Sequence, residues 1–219
     1  MSTDLLPPNW PAMSIAQANA LLAGPGSPLE LEEAVIRGVP MKVYKNAPPN
    51  IPVILELAAQ QFAERTYLVY QNERVTFGAL NLAVRKLAAE MRDKYGIQKG
   101  DRVAIVMRNY PQWPLGFYAA LSLGAIATPM NSWWTAEELE YGLSFAGVKL
   151  AVMDLQIYER IRDHLHKLPE LKHILIARDS AEEIADPRVS SLDAIVGHPN
   201  DWGKLPDTGP TGVEIGPDD

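Results

Sequence analysis

Hydrophobic and polar residues follow two different periods along residues 52–177 of the chain. Apolar side chains that recur every three or four positions, as at Leu80, Val84 and Leu87, predict helices. Continuously apolar runs, such as residues 103–107, predict strands that are covered on both faces of a sheet. Because such strands alternate with helical segments, we expect an α/β fold with an open, mostly parallel, doubly wound sheet and flanking helices.

Capping and turn residues give the bounds of the predicted elements. Thr76 is the predicted cap of a long helix that Gly96 ends, and Thr135 with Glu138 has the pattern of a capping box. Asp154 is the predicted cap of a later helix. The predicted helices cover residues 52–64, 77–95, 113–123, 136–146 and 155–168, and the predicted strands cover residues 67–70, 74–76, 102–107, 125–130, 150–153 and 173–177.

Proline and glycine divide the chain into three predicted parts. Nine of the 18 prolines lie within the first 52 residues, so residues 1–51 are expected to form an irregular and partly helical arm. Residues 52–196 are the predicted α/β lobe. Residues 197–219 hold five glycines and four prolines, which is typical of a linker. Short elements are predicted over residues 14–22 and 29–36, both as helices, and over residues 181–184 and 189–196.

Composition and charge exclude several classes of protein. With 47% hydrophobic and 21% charged residues, the chain is neither collagen-like nor wholly disordered, and without cysteine it has no disulfide or thiolate site. No basic segment followed by an apolar run opens the sequence, so a cytoplasmic protein without a transmembrane segment is expected. The net charge of −7 and the lack of a Lys/Arg cluster argue against a nucleic-acid partner.

Sequence signatures of common active sites are absent. The predicted strand 102–107 is followed by a segment without glycine, whereas dinucleotide sites place a Gly-x-Gly-x-x-Gly turn there. Neither a phosphate-binding loop ending in Gly-Lys-Ser/Thr nor a Gly-x-Ser-x-Gly elbow occurs. The acidic residues around Glu138 suit the first turn of a helix, and the histidines are most simply solvated. We therefore predict neither a catalytic nor a metal-binding residue in this chain.

Two loops at the carboxyl ends of predicted strands remain as candidate ligand sites, because ligands of open α/β sheets bind beyond those ends. They are residues 108–111 and 129–134. The second loop contains Trp133 and Trp134, and two adjacent indoles have two interpretations. Both rings pack on the core or on the arm, which is the more common role of aromatic residues, or they form a wall for an apolar or extended ligand.

Three motifs in these regions resemble a known family. They are VTFGAL at residues 75–80, GDRVAIVMRN at 100–109, and LSLGAIATPMN at 121–131, followed by a Thr-x-Glu-Glu-Leu segment. Their order and spacing are similar to those of the AMP-forming acyl-CoA synthetases of the adenylate-forming superfamily, which also includes luciferases and nonribosomal adenylation domains. The resemblance covers about residues 52–153 and continues more loosely to Asp219.

The resemblance implies an activity and its cofactors. Members of the family join a carboxylic acid to coenzyme A with ATP and Mg²⁺, by way of an acyl-adenylate. In the family a segment like residues 217–219 precedes the Thr/Ser/Gly-rich phosphate loop. The chain is therefore expected to be the first part of a longer enzyme, inactive alone, with the ligands of ATP and Mg²⁺ beyond residue 219.

The resemblance also implies binding residues for coenzyme A. The loop after the strand 125–130 borders the pantetheine channel in the family, which points to Asn131, Ser132 and Trp133. Basic residues on the next helix, Arg160 or Arg162, would face the nucleotide phosphates. The Asn-Ser-Trp-Trp sequence departs from the Asn-Pro that many members have here.

Partners and alternatives follow from the same comparison. The expected partners are a carboxylic acid, fatty or aromatic, the rest of the same polypeptide and a second copy in a homodimer. One alternative is an adenylating enzyme with another acceptor, a carrier protein or oxygen. Another is a self-standing α/β binding module without catalysis.

Overall fold

The computed structural model describes residues 13–178, 181 and 184–217. The chain divides into two compact units, Met1–Pro48 and Pro49–Asp219. No helix in the described part is both long and apolar enough to cross a membrane.

The first unit contains a helix and a hairpin. Helix α1 (Ile15–Ala23) begins at Ser14, whose hydroxyl accepts from the Gln17 backbone N–H in a reciprocal capping box, and it confirms the predicted helix near residues 14–22. Strands β1 (Leu31–Ile36) and β2 (Val39–Tyr44) pair in antiparallel fashion.

The predicted helix over residues 29–36 is wrong, because this run forms β1. Arg37 and Gly38 both have positive φ, at 49° and 84°. Two consecutive residues of that conformation make the tight turn that joins right-twisted antiparallel strands. The turn and the apolar residues that follow it in β2 therefore override the helical pattern.

A parallel sheet of five strands forms the centre of the second unit. Its order is β6-β5-β7-β8-β9, so the predicted fold class is confirmed. The chain leaves β5 in one direction to β6, crosses back over β5 to β7, and continues to β8 and β9. The strands are β5 (Arg102–Val106), β6 (Ile126–Pro129), β7 (Val148–Asp154), β8 (His173–Ala177) and β9 (Val189–Ser191).

Helices cover both faces of this sheet, and a second hairpin flanks it. The hairpin consists of β3 (Thr66–Tyr70) and β4 (Glu73–Thr76). The helices are α2 (Ile51–Phe62), α3 (Phe77–Asp93), α4 (Gln112–Leu121), α5 (Ala136–Ala146), α6 (Leu155–Ile161) and α7 (Asp193–Val196), with 3-10 turns at Arg162–Lys167 and Pro199–Lys204.

The predicted caps are confirmed where they define helix starts. The Thr76 hydroxyl accepts from the Ala79 N–H at 3.1 Å. Thr135 and Glu138 form the capping box, with the Thr135 N–H donating to the Glu138 carboxylate at 2.8 Å. The predicted helix 155–168 instead ends as α6 at Ile161 and continues as a 3-10 turn.

Alternate residues of the central strands face two hydrophobic clusters. Val103 and Ile105 of β5 point to the cluster that contains α3 and α4, whereas Ala104 and Val106 point to the cluster with α5 and α6. Since each strand is apolar on both faces, the continuous apolar runs of the sequence are explained.

The irregular segment after α7 packs on the same unit. Trp202 is fully buried and donates its indole N–H to the Gly197 carbonyl at 3.1 Å. Arg85 pairs with Asp207 at 2.8 Å, and Arg92 donates to the Thr211 carbonyl at 3.0 Å. The composition of this segment predicts a loop, and its described part is a loop held to helices by side-chain hydrogen bonds.

Two short elements were predicted just ahead of this segment. The one over residues 189–196 corresponds to β9 and α7. The one over residues 181–184 includes Glu182 and Glu183, which lie outside the described residues.

Candidate functional site

The direction of the chain reverses between β5 and β7. The candidate loop 108–111 begins at the end of β5, and the candidate loop 129–134 begins at the end of the neighbouring strand β6. The helix after β5, α4, lies on one face of the sheet, and the helix before β7, α5, lies on the other. A crevice opens beyond the carboxyl ends of two such strands, and open α/β sheets bind ligands there.

A small recess lies in this crevice. It encloses about 20 Å³, which is room for one water or one oxygen of an anion. Its walls come from the loop after β5, the loop after β6 and the start of α6. The lining residues are Arg108, Ser132, Trp133, Asp154, Gln156, Ile157 and Arg160.

Arg160 joins the loop after β6 to helix α6. Its Nη1 donates to the carbonyl oxygens of Ser132 and Trp134, both at 2.8 Å. Within the loop, the Asn131 side-chain oxygen accepts from the Trp133 N–H at 2.9 Å. The structure thus brings Asn131, Ser132, Trp133 and Arg160 together.

Arg162, the other basic candidate on this stretch, lies apart from the recess. Its guanidinium pairs with Glu159 at 2.6 Å and approaches Asp163 at 3.6 Å, and its side chain is half exposed. These contacts stay within one turn of the chain. Arg162 therefore does not share the surroundings of the other four candidates.

Trp133 and Trp134 have different environments. Trp134 is partly buried and packs against the cluster on the α5 side. Trp133 is 80% exposed at the rim of the recess. Of the two interpretations of the Trp pair, packing is confirmed for Trp134 and does not describe Trp133, whose role as a wall for a ligand stays a prediction.

Asp154 joins the two strands on either side of the crevice. Its carboxylate is buried and accepts from the Arg108 N–H at 3.2 Å and from the Ile157 N–H at 3.0 Å. The first bond fixes the backbone where β5 ends, and the second caps α6. Sequence reasoning gave Asp154 only the capping role.

Arg108 is a residue to which sequence reasoning gave no role, although it lies in a candidate loop. Its position two residues after the buried strand β5, at the reversal of chain direction, is the signal that could have singled it out. The side chain is exposed and lines the recess.

A second polar cluster lies at the same edge of the sheet, around Arg178 after β8. Arg178 donates to both carboxylate oxygens of Glu73, at 2.7 and 3.1 Å. Its guanidinium also lies 4.9 and 5.0 Å from the ring centroids of Tyr70 and Tyr110. The hydrogen bonds from Arg178 hold the pKa of the buried Glu73 carboxyl below its usual range.

Gln112 and Asp193 complete this cluster. The Gln112 side chain is fully buried, and its Nε2 has no hydrogen-bond partner within the described residues, as is true of Asp193 Oδ1. Burial raises the pKa of the Asp193 carboxyl. The described residues contain no group of three or more acidic or histidine side chains placed to hold a metal ion.

The profile of the family "AMP-binding enzyme" matches residues 55–212, which is most of the chain. The chain belongs to the AMP-binding enzyme family. This confirms the resemblance that the three motifs indicate, and the match includes the crevice, the recess and the Arg178 cluster.

Several relatives of this chain are named CoA ligases. The long-chain-fatty-acid–CoA ligase of Yersinia pestis is 28% identical over 140 residues, which are 64% of this chain and 25% of that protein. The protein of the same name from Bacillus subtilis is 34% identical over 110 residues, 50% of this chain and 20% of that protein. The chain thus spans about a quarter or less of the length of these relatives.

A solved structure supports the fold. The crystal structure of a long-chain-fatty-acid–CoA ligase from Archaeoglobus fulgidus has a TM-score of 0.61 and 20% sequence identity to this chain. The likeness covers 76% of this chain and 32% of that one. At this identity it shows a shared architecture.

Proposed function

We propose that this chain is the amino-terminal part of an ATP-dependent, AMP-forming acyl-CoA ligase. The observation that carries the proposal is the match to the AMP-binding enzyme family over residues 55–212, together with relatives that are named long-chain-fatty-acid–CoA ligases. In such a reaction a carboxylate attacks the α-phosphate of ATP and releases pyrophosphate, and the thiol of coenzyme A then displaces AMP from the acyl-adenylate.

The contribution of this chain to that reaction is to bind coenzyme A. The loop of Asn131, Ser132 and Trp133 borders the crevice, and Arg160 holds this loop against α6. An exposed indole and guanidinium groups fit a ligand that has a flat base and phosphates. Coenzyme A supplies the thiol when it is bound.

The other cofactors belong to parts of the enzyme beyond these residues. The described residues contain no cluster suited to Mg²⁺, so we assign no ligand of Mg²⁺ or of the ATP triphosphate to them. In this proposal residues 1–51 are an arm, residues 52–196 are the α/β lobe, and residues 197–219 lead to the phosphate loop. The substrate is a fatty or aromatic carboxylic acid.

The test compares two polypeptides in ATP–pyrophosphate exchange. One is the chain of 219 residues, and the other is translated from the same reading frame continued downstream. With a panel of fatty and aromatic acids, we expect exchange only from the longer polypeptide. ATP–pyrophosphate exchange by the 219-residue chain alone would disprove the proposal that this chain is inactive without the rest of the enzyme.

A second measurement separates the possible acceptors. If coenzyme A is the acceptor, AMP release by the longer polypeptide rises when coenzyme A is added and acyl-CoA forms. Acyl transfer only to a carrier protein or to oxygen would replace the ligase proposal with the alternative acceptor. A reading frame that ends near residue 219, with no exchange, would favour a binding module without catalysis.

A further inference from the structure

Arg108 differs from every other arginine in the described part of the chain. Its guanidinium makes no hydrogen bond, ion pair or ring contact there, whereas each of the others has at least one such interaction. Arg108 is held only through its backbone, by the bond from its N–H to Asp154. An arginine with a fixed backbone and a free guanidinium is suited to bind an anion from outside the chain.

The surroundings of Arg108 favour an anion rather than a neutral ligand. Asp154 is the one acidic residue that lines the recess, and its carboxylate accepts from two backbone N–H groups, so part of its negative charge is already compensated. Arg160 contributes a second positive charge. Both of its bonds to the loop use Nη1, so its remaining N–H groups are not used by the loop.

The rim of the recess adds a flat apolar surface. Trp133 is 80% exposed, and its backbone is fixed by Asn131. An indole held in this way is a platform for stacking a base, and such stacking contributes to affinity in nucleic-acid complexes. A guanidinium with no protein partner beside an exposed indole is suited to a phosphorylated nucleoside.

The enclosed volume limits what enters the recess itself. A space of about 20 Å³ admits one phosphate oxygen but not a base or a sugar. A ligand would therefore insert a phosphate oxygen between the two guanidinium groups and leave its base outside, against Trp133.

We propose that Arg108 is a phosphate-binding residue, which together with Arg160 and Trp133 binds a phosphorylated adenine nucleotide at the crevice between β5 and β7. The inference rests on the proposed function for the identity of the nucleotide, which is the 3′-phosphorylated adenosine half of coenzyme A. It adds Arg108 to Arg160 as a positively charged residue for the phosphate, and it leaves out Arg162, the other basic candidate that the sequence resemblance implies.

The test uses the chain itself and adenosine 3′,5′-bisphosphate as the probe, with binding measured by calorimetry. We expect Arg108→Ala to weaken binding at least about tenfold, since the variant loses hydrogen bonds between charged groups, which are stronger than those between neutral groups. Arg108→Lys should recover only part of the loss, because a lysine cannot make two parallel hydrogen bonds to a phosphate. Arg162→Ala is the matched control and should bind like the unaltered chain.

Two further probes identify the source of the phosphate. AMP lacks the 3′-phosphate, and inorganic phosphate lacks the base. Tighter binding of the bisphosphate than of both, with quenching of fluorescence that Trp133→Phe abolishes, supports the coenzyme A half. Tighter binding of AMP would overturn that identity, and equal binding of inorganic phosphate would overturn the stacking on Trp133.

The binding experiment can fail or succeed independently of the proposed ligase activity. No binding by the unaltered chain, or equal binding by Arg108→Ala, overturns the inference even if the longer polypeptide is an active ligase. Binding that depends on Arg108, in a longer polypeptide without ligase activity, would support the site and reject the proposed function. The thermal unfolding of each variant shows that the chain is folded in every measurement.

Discussion

Arg108 and Arg178 stand in similar places, each within two residues of the carboxyl end of a strand of the same parallel sheet, yet their environments are opposite. Arg178 binds the buried Glu73 carboxylate through two hydrogen bonds and lies against the rings of Tyr70 and Tyr110. Arg108 has no side-chain partner among the described residues. One arginine thus serves the folded chain, and the other is available to a ligand.

Backbone geometry differs at the two sites. Arg178 has a φ of 67°, in the left-handed region that non-glycine residues seldom adopt. Such a conformation is unfavourable by about 1–3 kcal/mol and persists only where surrounding contacts determine it. At Arg178 those contacts are the ion pair and the two rings.

The largest effect on stability is expected at Arg178. Arg178→Ala removes both guanidinium hydrogen bonds from the buried Glu73 carboxylate and leaves only the ring nitrogen Nε2 of His198, 3.2 Å away, as an ionic partner. Removing one member of a buried pair destabilises by about 3–5 kcal/mol. Because Arg178 is 23% exposed, we expect the lower end of that range in urea unfolding. A loss below about 1 kcal/mol would show that the pair behaves as a surface ion pair.

The pH dependence of stability tests the same pair without removing the arginine. Arg178 lowers the pKa of Glu73 in the folded state, so the stabilisation is complete above the unfolded pKa of about 4.3. It is lost as the pH falls through the lower, folded value. We expect Glu73→Gln to flatten this acid limb of the unfolding free energy, and an unchanged limb would contradict the role of Glu73.

The packing of Trp134 determines how firmly the loop beside Arg108 is held. A Cβ added at Gly142 would lie 2.8 Å from Trp134 Cζ3, which is too close, so Gly142→Ala must displace the indole and strain the loop. We expect a net loss of about 1 kcal/mol from overpacking, after the gain in helix propensity. Gly116→Ala is the control.

At Gly116, also within a helix, the added Cβ would meet Val152 and Ile105 at 3.5–3.6 Å, an ordinary contact distance. That variant should be unchanged or slightly more stable. Equal effects of the two substitutions in thermal unfolding would show that Trp134 is not held by its contact with α5.

The smallest effect on stability is expected at the recess. Arg108→Ala and Trp133→Ala remove exposed side chains, so the free energy of unfolding should change by no more than about 0.5 kcal/mol. Nucleotide binding should nevertheless fall. A large loss of stability at Arg108 would remove its contrast with Arg178.

Local patterns made the elements of the second unit predictable. Thr76 and Thr135 are capping residues whose partners lie three positions away, so the chain itself carries the signal. The wrong prediction of a helix over residues 29–36 has a local cause as well. The apolar run alone suits a helix, and only the positive φ angles of Arg37 and Gly38 show that it forms a strand of a hairpin.

The site was less predictable because its contacts are distant in sequence. Glu73 and Arg178 are 105 positions apart, and no periodic pattern joins them. Arg160 reaches Ser132 across 28 positions, a contact that neither the residue pattern nor the family resemblance predicts. The different environments of Trp133 and Trp134 depend on the turn that the Asn131 side chain forms with the Trp133 N–H. The sequence pattern does not show which of the two rings that turn leaves exposed.

The proline that ends β6 has a consequence for assembly. Ile126 and Met130 donate their N–H groups inward, to Asp101 and Ile105, so the backbone of the alternate residues Ala127 and Pro129 faces outward. Proline has no N–H, and the outer side of this edge strand therefore presents a single amide donor, from Ala127. A strand added at this edge would find no donor at Pro129 and would lose one bond of the ladder there, so growth of the sheet from chain to chain is disfavoured at this edge.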